Sequence, residues 1–179
     1  MIVCGIDPGK YGGIVVLDGA GVLEKHVTPL VGKEYDMLGM HHILRNLPKN
    51  LRTEAFVFIE AAHAFPLARG GSHAMFESGY GYGLWSGLLF ESGVLAYAVS
   101  CQLWQGVYFA DRRRVSTPKQ ASVSFATRTW PLEKWTVGSS KKPHDGLTDA
   151  ACIAEFGRQW LSMPGDVRAT VESGMKRIR

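Results

Sequence analysis

Four acids, Asp7, Glu60, Asp145 and Asp149, each close an apolar run or head one. Asp7 ends Ile2-Val3-Cys4-Gly5-Ile6 and is followed by Pro8-Gly9, and Glu60 ends Ala55-Phe56-Val57-Phe58-Ile59. A carboxylate closing a buried strand is costly unless it reaches water or a cation compensates it. Asp145 and Asp149 are spaced i, i+4 at the start of the pattern Leu147, Ala150, Ala151, Ile153, Ala154, which puts both on one helical face. Like charges that close repel. Mg²⁺ or Mn²⁺, which prefers carboxylate and water oxygens, turns that repulsion into coordination. Singly, each acid has a plain structural reading: Asp-Pro-Gly is a common turn, Glu60 could end a strand at the surface, and Asp145 and Asp149 suit a helix N-terminus. Their order along the chain is what points to metal-ion chemistry.

The elements that must position these acids alternate. Three strands are predicted at about 2–8, 12–18 and 22–28, with Gly12-Gly13 and Asp18-Gly19 turning a meander. Glu34 to Leu47 reads as a helix ended by Pro48, and Ala55 to Glu60 as the fourth strand. Residues 61–75, with Phe65, Arg69, Gly70, Gly71 and His73, read as a long loop, and a loop of that size in a compact domain is usually functional. A helix from about Phe76 to Phe90, a strand at Val94 to Val99 and helices near 101–109, 118–129 and 146–161 complete the pattern. The order predicts an α/β fold with a mixed five-stranded sheet, three antiparallel strands and then parallel crossovers, flanked by helices. Residues 1–161 form one domain in this reading, and 162–179, ending Lys176-Arg177-Ile178-Arg179, are a less periodic C-terminal extension of it.

At 179 residues the chain can bury a core without staples. A formal net charge of +4 makes it basic despite these acids, which suits a polyanionic partner. Cys4, Cys101 and Cys152 are an odd set without a close pair, each among apolar residues, and read as reduced thiols of a cytoplasmic protein. The longest apolar stretch is interrupted by Glu91-Ser92-Gly93, so no membrane span is expected. Because no Ser/Arg-rich segment precedes the first strand, a bacterium or phage-infected cell is the expected setting.

Two further patterns bear on partners. Arg112, Arg113 and Arg114 precede Pro118-Lys119, and Lys134, Lys141 and Lys142 lead into His144-Asp145, so cationic segments flank the helix that begins at Lys119. Phosphate contact is their natural use. In the helix at 76–90, Gly79, Gly83 and Gly87 recur every four residues. Each glycine costs a helix about 1 kcal/mol relative to alanine, so the stripe predicts a close backbone contact, within the subunit first and with a second copy next.

Gly5-Ile6-Asp7-Pro8-Gly9, the strand ending Ile59-Glu60, Pro118-Lys119 opening a helix, and His144-Asp145-Gly146-Leu147-Thr148-Asp149-Ala150 resemble the RuvC superfamily of Holliday junction resolvases, which have an RNase H-like fold. The phage and plastid-type members are most similar, sharing also Gly79-Tyr80-Gly81-Tyr82-Gly83-Leu84-Trp85 and Ile153-Ala154-Glu155-Phe156-Gly157. One departure matters. Bacterial members often space the two late ligands i, i+3, which here falls on Gly146, so Asp145 at i, i+4 is the better candidate and His144 a fallback ligand or a neighbour of the site.

The resemblance implies a homodimer that binds a four-way DNA junction and nicks two opposing strands by two-metal hydrolysis with Mg²⁺, or Mn²⁺ in its place, leaving 5′-phosphate and 3′-hydroxyl ends. It implies Asp7 as the bridging ligand, Glu60, Asp145 and Asp149 as the others, and Lys119 on the scissile phosphate. Phe65, Met75 and Phe76 would stack on bases at the junction centre, with Arg69, Arg112, Arg113, Arg114, Lys141 and Lys142 on DNA. Two rival readings stand beside it: another RNase H-like metal nuclease acting on RNA–DNA hybrids or flaps, and a junction-binding protein without turnover. An actin-like ATPase begins with a similar strand-Asp turn but needs two such domains, for which this chain is too short.

Overall fold

The computed structural model describes residues 1–46, 55–62, 71–109 and 117–178. Strands β1 (Ile2–Asp7), β2 (Gly13–Leu17) and β3 (Val22–Val27) form the expected antiparallel meander. Strands β6 (Ala55–Glu60) and β7 (Leu95–Val99) extend it on the other side of β1, both parallel to it. Between the two halves lie a short hairpin, β4 (Leu30–Val31) and β5 (Glu34–Tyr35), and helix α1 (Met37–Asn46). The helix therefore starts after the hairpin and not at Glu34.

The sheet has six strands, in the order β3-β2-β1-β6-β7-β8. The sixth corrects the expected five. Within 162–178 the chain forms helix α6 (Gly165–Glu172) and then β8 (Met175–Ile178), which pairs antiparallel with β7. The remaining helices are α2 (Gly71–Ser92), α3 (Cys101–Phe109), α4 (Pro118–Thr129) and α5 (Asp145–Leu161). Helix α2 starts at Gly71, so His73 and Met75, assigned to the loop by sequence, are helical.

Strand alternation sorts the core onto the two faces of the sheet. Cys4, Ile6, Val57 and Ile59 pack with Met40 of α1 and Trp85 and Leu89 of α2. Val3, Phe58, Tyr97 and Val99 point to the other face, against Trp104, Ile153, Phe156 and Trp160. Helix α5 lies on this second face, and small residues let it come close. A Cβ on Gly5 would collide with the backbone of Ala150 and Ala154, and one on Gly146 with the backbone of Tyr11 and Gly12. Those two approaches seat the N-terminus of α5 against the β1–β2 turn, which fixes Asp145 and Asp149 relative to Asp7. Cys4 and Cys152 are buried and form no disulfide, and Cys101 is partly exposed. No helix among the described residues is long and apolar enough to cross a membrane.

Candidate active site

Parallel pairing brings the first two acids together. Ile6 lies opposite Ile59 in the β1–β6 ladder, so the next residues, Asp7 and Glu60, emerge side by side at the carboxyl ends of neighbouring strands. Odd-numbered residues of β1 and even-numbered residues of β6 face α5, and Asp149 is delivered to the same place from the first turns of that helix. Asp145 sits one turn earlier. Its Oδ2 is 3.1 Å from the Lys119 ammonium, which projects from the first turn of α4. That turn is rigidly capped: the Gln120 N–H donates to Thr117 Oγ1 at 3.3 Å, the Thr117 N–H donates to the Gln120 side chain at 3.1 Å, and Pro118 follows the cap.

Burial and mutual repulsion dominate the electrostatics. The Asp7 carboxyl is pushed up to about 6 by burial, against the opposing pull of the Gly9 N–H (3.3 Å) and Lys119. Glu60 is pushed up to about 8 by burial and by the charges of Asp7 and Asp149. Asp149 is pushed up to about 7 by burial and by Asp7 and Asp145, with Ser122 and Lys119 pulling it down. These acids repel one another, and among the described residues Lys119, itself mostly exposed, is the cation that pulls Asp7 and Asp149 down. Such an arrangement is stabilised by added positive charge.

Two neutral side chains hold the acids, and sequence reading passed over both. Trp104 of α3, fully buried, donates from Nε1 to Glu60 Oε2 at 3.0 Å. The buried Ser122 hydroxyl of α4 donates to the Pro118 carbonyl at 3.1 Å and lies close enough to Asp149 to pull its carboxyl down. The only sequence signal for Trp104 was an indole N–H in an apolar segment, a donor that needs a partner when buried.

His144 is the N-cap of α5, with Nδ1 accepting the Leu147 N–H at 3.3 Å. Burial lowers its imidazole below the usual histidine range. With Nδ1 committed to the cap, only Nε2 remains for a ligand or phosphate. Lys141 and Lys142 are exposed just ahead of this cap. Met75 is partly buried in α2, whereas Phe76 is 65% exposed, which removes core packing as its role; its ring stacks on Tyr80 (5.8 Å, 6°). Phe65, Arg69, Arg112, Arg113 and Arg114 lie outside the described residues. The glycine stripe corrects an expectation. Nothing lies within 4 Å of a Cβ built on Gly79, Gly83 or Gly87, so it packs against no other part of the described subunit. The close contact of α2 is made by Gly81, where a Cβ would meet Tyr35 and the Pro8 carbonyl.

A cleft of about 470 Å³ opens over Asp7, Asp145, Asp149, Lys119 and His144. The donor set suits a hard divalent cation, being oxygen-only, partly buried and short of positive charge. As the side chains stand, no three His, Cys, Asp or Glu residues among those described meet closely enough to form a metal cage. Ion binding would have to draw these carboxylates inward.

No family model matches the chain, and no curated protein matches it either. Solved structures do. Thermus thermophilus RuvC in complex with a Holliday junction substrate superposes with a TM-score of 0.61 at 19% identity, over 99% of each chain. A second Thermus thermophilus RuvC structure gives 0.61 at 21% identity, over 91% of this chain and 96% of that one. This likeness over nearly the whole length shows the fold, an RNase H-like α/β architecture.

Proposed function

We propose that this chain is a metal-dependent endonuclease that resolves four-way DNA junctions by paired nicking. The observation that carries the reading is the convergence of Asp7, Glu60 and Asp149, with Asp145 and Lys119 beside them, at the strand ends of a fold shared with a protein whose structure holds a Holliday junction. Asp7, Glu60, Asp145 and Asp149 would hold two Mg²⁺ ions, which Mn²⁺ could replace. Bound there, the ions supply an activated water and neutralise the leaving 3′-oxygen. Asp7, which acts electrostatically on both Glu60 and Asp149, would be the central ligand. Trp104 would hold Glu60 in place, and Ser122 would favour the charged form of Asp149. Lys119 would exchange Asp145 for the scissile phosphate, placing positive charge where negative charge grows in the transition state. Lys141 and Lys142 would hold flanking phosphates.

Symmetric cutting requires two sites related by a two-fold axis, so we further propose a homodimer. Its contact would be the outer face of α2. Phe76, Tyr80, Gly83, Gly87 and Phe90 recur at alternating spacings of four and three, the pattern of a helix–helix seam. Phe76, Tyr80 and Phe90 are 65, 43 and 66% exposed, and the two glycines between Tyr80 and Phe90 leave room for a second backbone.

A substrate panel tests the activity. Immobile four-way junction, matched linear duplex, flap and RNA–DNA hybrid are each incubated with and without Mg²⁺. Junction cleavage that needs the ion and exceeds the rest supports the reading; preferred hybrid or flap cleavage replaces it with another nuclease of this fold, and tight junction binding without any cleavage replaces it with an architectural role.

A further inference from the structure

Helix α4 presents two unlike sides. Ala121, Ser122 and Ala126 are buried. The opposite side is exposed at Lys119, Ser124, Thr127 and Arg128, and the helix contains no acidic residue. This outer side lines a shallow groove of about 520 Å³ that ends on Asp145. The groove and the catalytic cleft share Lys119 and Asp145, so one continuous depression runs from the acids along α4 to Arg128.

The charges along this path differ from those on the other flank. There, a cavity of about 570 Å³ extends from Asp7 and Glu60 past Lys10, but Glu77 lines it and holds the Lys10 ammonium at 2.8 Å. Along α4, Arg128 forms no ion pair among the described residues, and no hydrogen bond engages the Ser124 or Thr127 hydroxyl there. Guanidinium and hydroxyl donors facing a groove lined, among the described residues, by no acid beyond Asp145 match the non-bridging oxygens of a phosphodiester backbone.

We propose that the α4 groove is the track for the strand being cut, with Arg128 pairing with a phosphate remote from the scissile one. This rests on the junction-nuclease reading and adds the path of the strand to it. Lys119 and Arg128 are nine residues apart, roughly 13 Å along a helix. Successive phosphates along a strand lie about 6–7 Å apart once the turn of the backbone is added to the axial rise, so Arg128 would meet the backbone about two nucleotides from the cut. Ser124 and Thr127 would donate to the phosphate between.

The test uses the Asp7→Asn chain, which should bind without cutting, and an immobile four-way junction in KCl from 50 to 200 mM. Adding Arg128→Ala should weaken binding, and the slope of log K against log[salt] should fall by about one unit. The defect would shrink about 3.5-fold across this salt range, the effect of one released counterion. Arg128→Lys should restore the slope, because the charge remains. Replacing single phosphates by neutral methylphosphonates on each side of the cut should reveal one position about two nucleotides away where neutralisation weakens the parent but not the Arg128→Ala protein. If the parent binds and Arg128→Ala leaves its salt slope unchanged, or if no such position exists, the track is wrong while the nuclease reading stands. If the parent fails to bind the junction at all, both fall.

Discussion

The Trp104 indole donates to Glu60 across 44 positions of sequence, from the helix that follows β7, and at 3.0 Å it engages one carboxylate oxygen and leaves the other for the proposed metal. The contact fixes the rotamer of an acid whose neighbours Asp7 and Asp149 push against it. Trp104→Phe keeps most of the ring volume but removes the donor. We expect metal affinity or activity to fall by roughly 10- to 100-fold, the usual cost of losing a partner that orients a ligand. Raised Mg²⁺ should recover part of the rate, and junction affinity without Mg²⁺ should stay within twofold (~2-fold, well under one phosphate contact). A Mg²⁺ titration of cleavage beside a binding isotherm checks this. Equal losses in both would show only a packing role.

The raised acids make the metal-free protein sensitive to pH, with a definite sign. Asp7, Glu60 and Asp149 hold protons to about 6, 8 and 7 in the folded chain, against ordinary values of 3.8, 4.5 and 3.8. Between roughly pH 4 and 8 the folded state therefore binds more protons than the unfolded one, and stability must fall as pH rises through that window. Thermal melts in EDTA should show Tm decreasing from pH 5 to 8. Asp7→Asn, Glu60→Gln and Asp149→Asn should each raise the EDTA Tm at pH 8 by about 2–4 °C or more, the shift that roughly 1 kcal/mol gives a chain of this size. Mg²⁺ should stabilise the wild type far more than these variants. An EDTA Tm that rose with pH would contradict the repulsive cluster.

Asp145 and His144 compete for the fourth ligand position, and the helix cap separates them. His144 Nδ1 is engaged by the Leu147 N–H, whereas the Asp145 carboxylate pairs, among the described residues, with the exposed Lys119. Asp145→Asn should lose more activity than His144→Ala and should shift the Mg²⁺ requirement upward. His144→Ala should instead lower Tm, as loss of a cap costs about 1 kcal/mol. The reverse order of activities would make the histidine the ligand.

Gly83 decides where the seam of α2 lies. With open space at its Cβ position, Gly83→Leu meets no obstacle inside the described subunit and even gains helix propensity, about 1 kcal/mol. Sedimentation should therefore find a folded monomer with an undiminished Tm where the wild type dimerises. A variant that still dimerises would move the interface elsewhere, and one that unfolds would place the stripe inside the fold.

Much of this was readable from residue order alone. Apolar runs ending in Asp7 and Glu60 gave strands whose parallel pairing follows from the crossover between them, and Pro118-Lys119 marked a helix start that a capping box confirms. The hairpin at Leu30–Val31 and Glu34–Tyr35 escaped notice because two-residue strands are too short to show periodicity. Strand β8 escaped because Met-Lys-Arg-Ile carries the charges of an exposed edge and looks like a tail. The first turn of α2, Gly71-Ser72-His73-Ala74, has loop composition and is helical nonetheless. Trp104 and Ser122 could not be tied to their acids before the fold was known, since neutral donors announce no partner and these come from other helices. The outward direction of the glycine stripe was equally hidden, because Gly81, which does pack inward, is the same residue type within two positions of it.

The most direct test of the central claim labels each strand of an immobile four-way junction in turn and maps the cuts made by wild-type and Asp7→Asn protein with Mg²⁺. The account expects two nicks at symmetry-related positions on opposing strands, each resealable by ligase. It expects no nicks from Asp7→Asn, which should still bind the junction. Unpaired cuts scattered over all arms, or wild-type cleavage by Asp7→Asn, would contradict it.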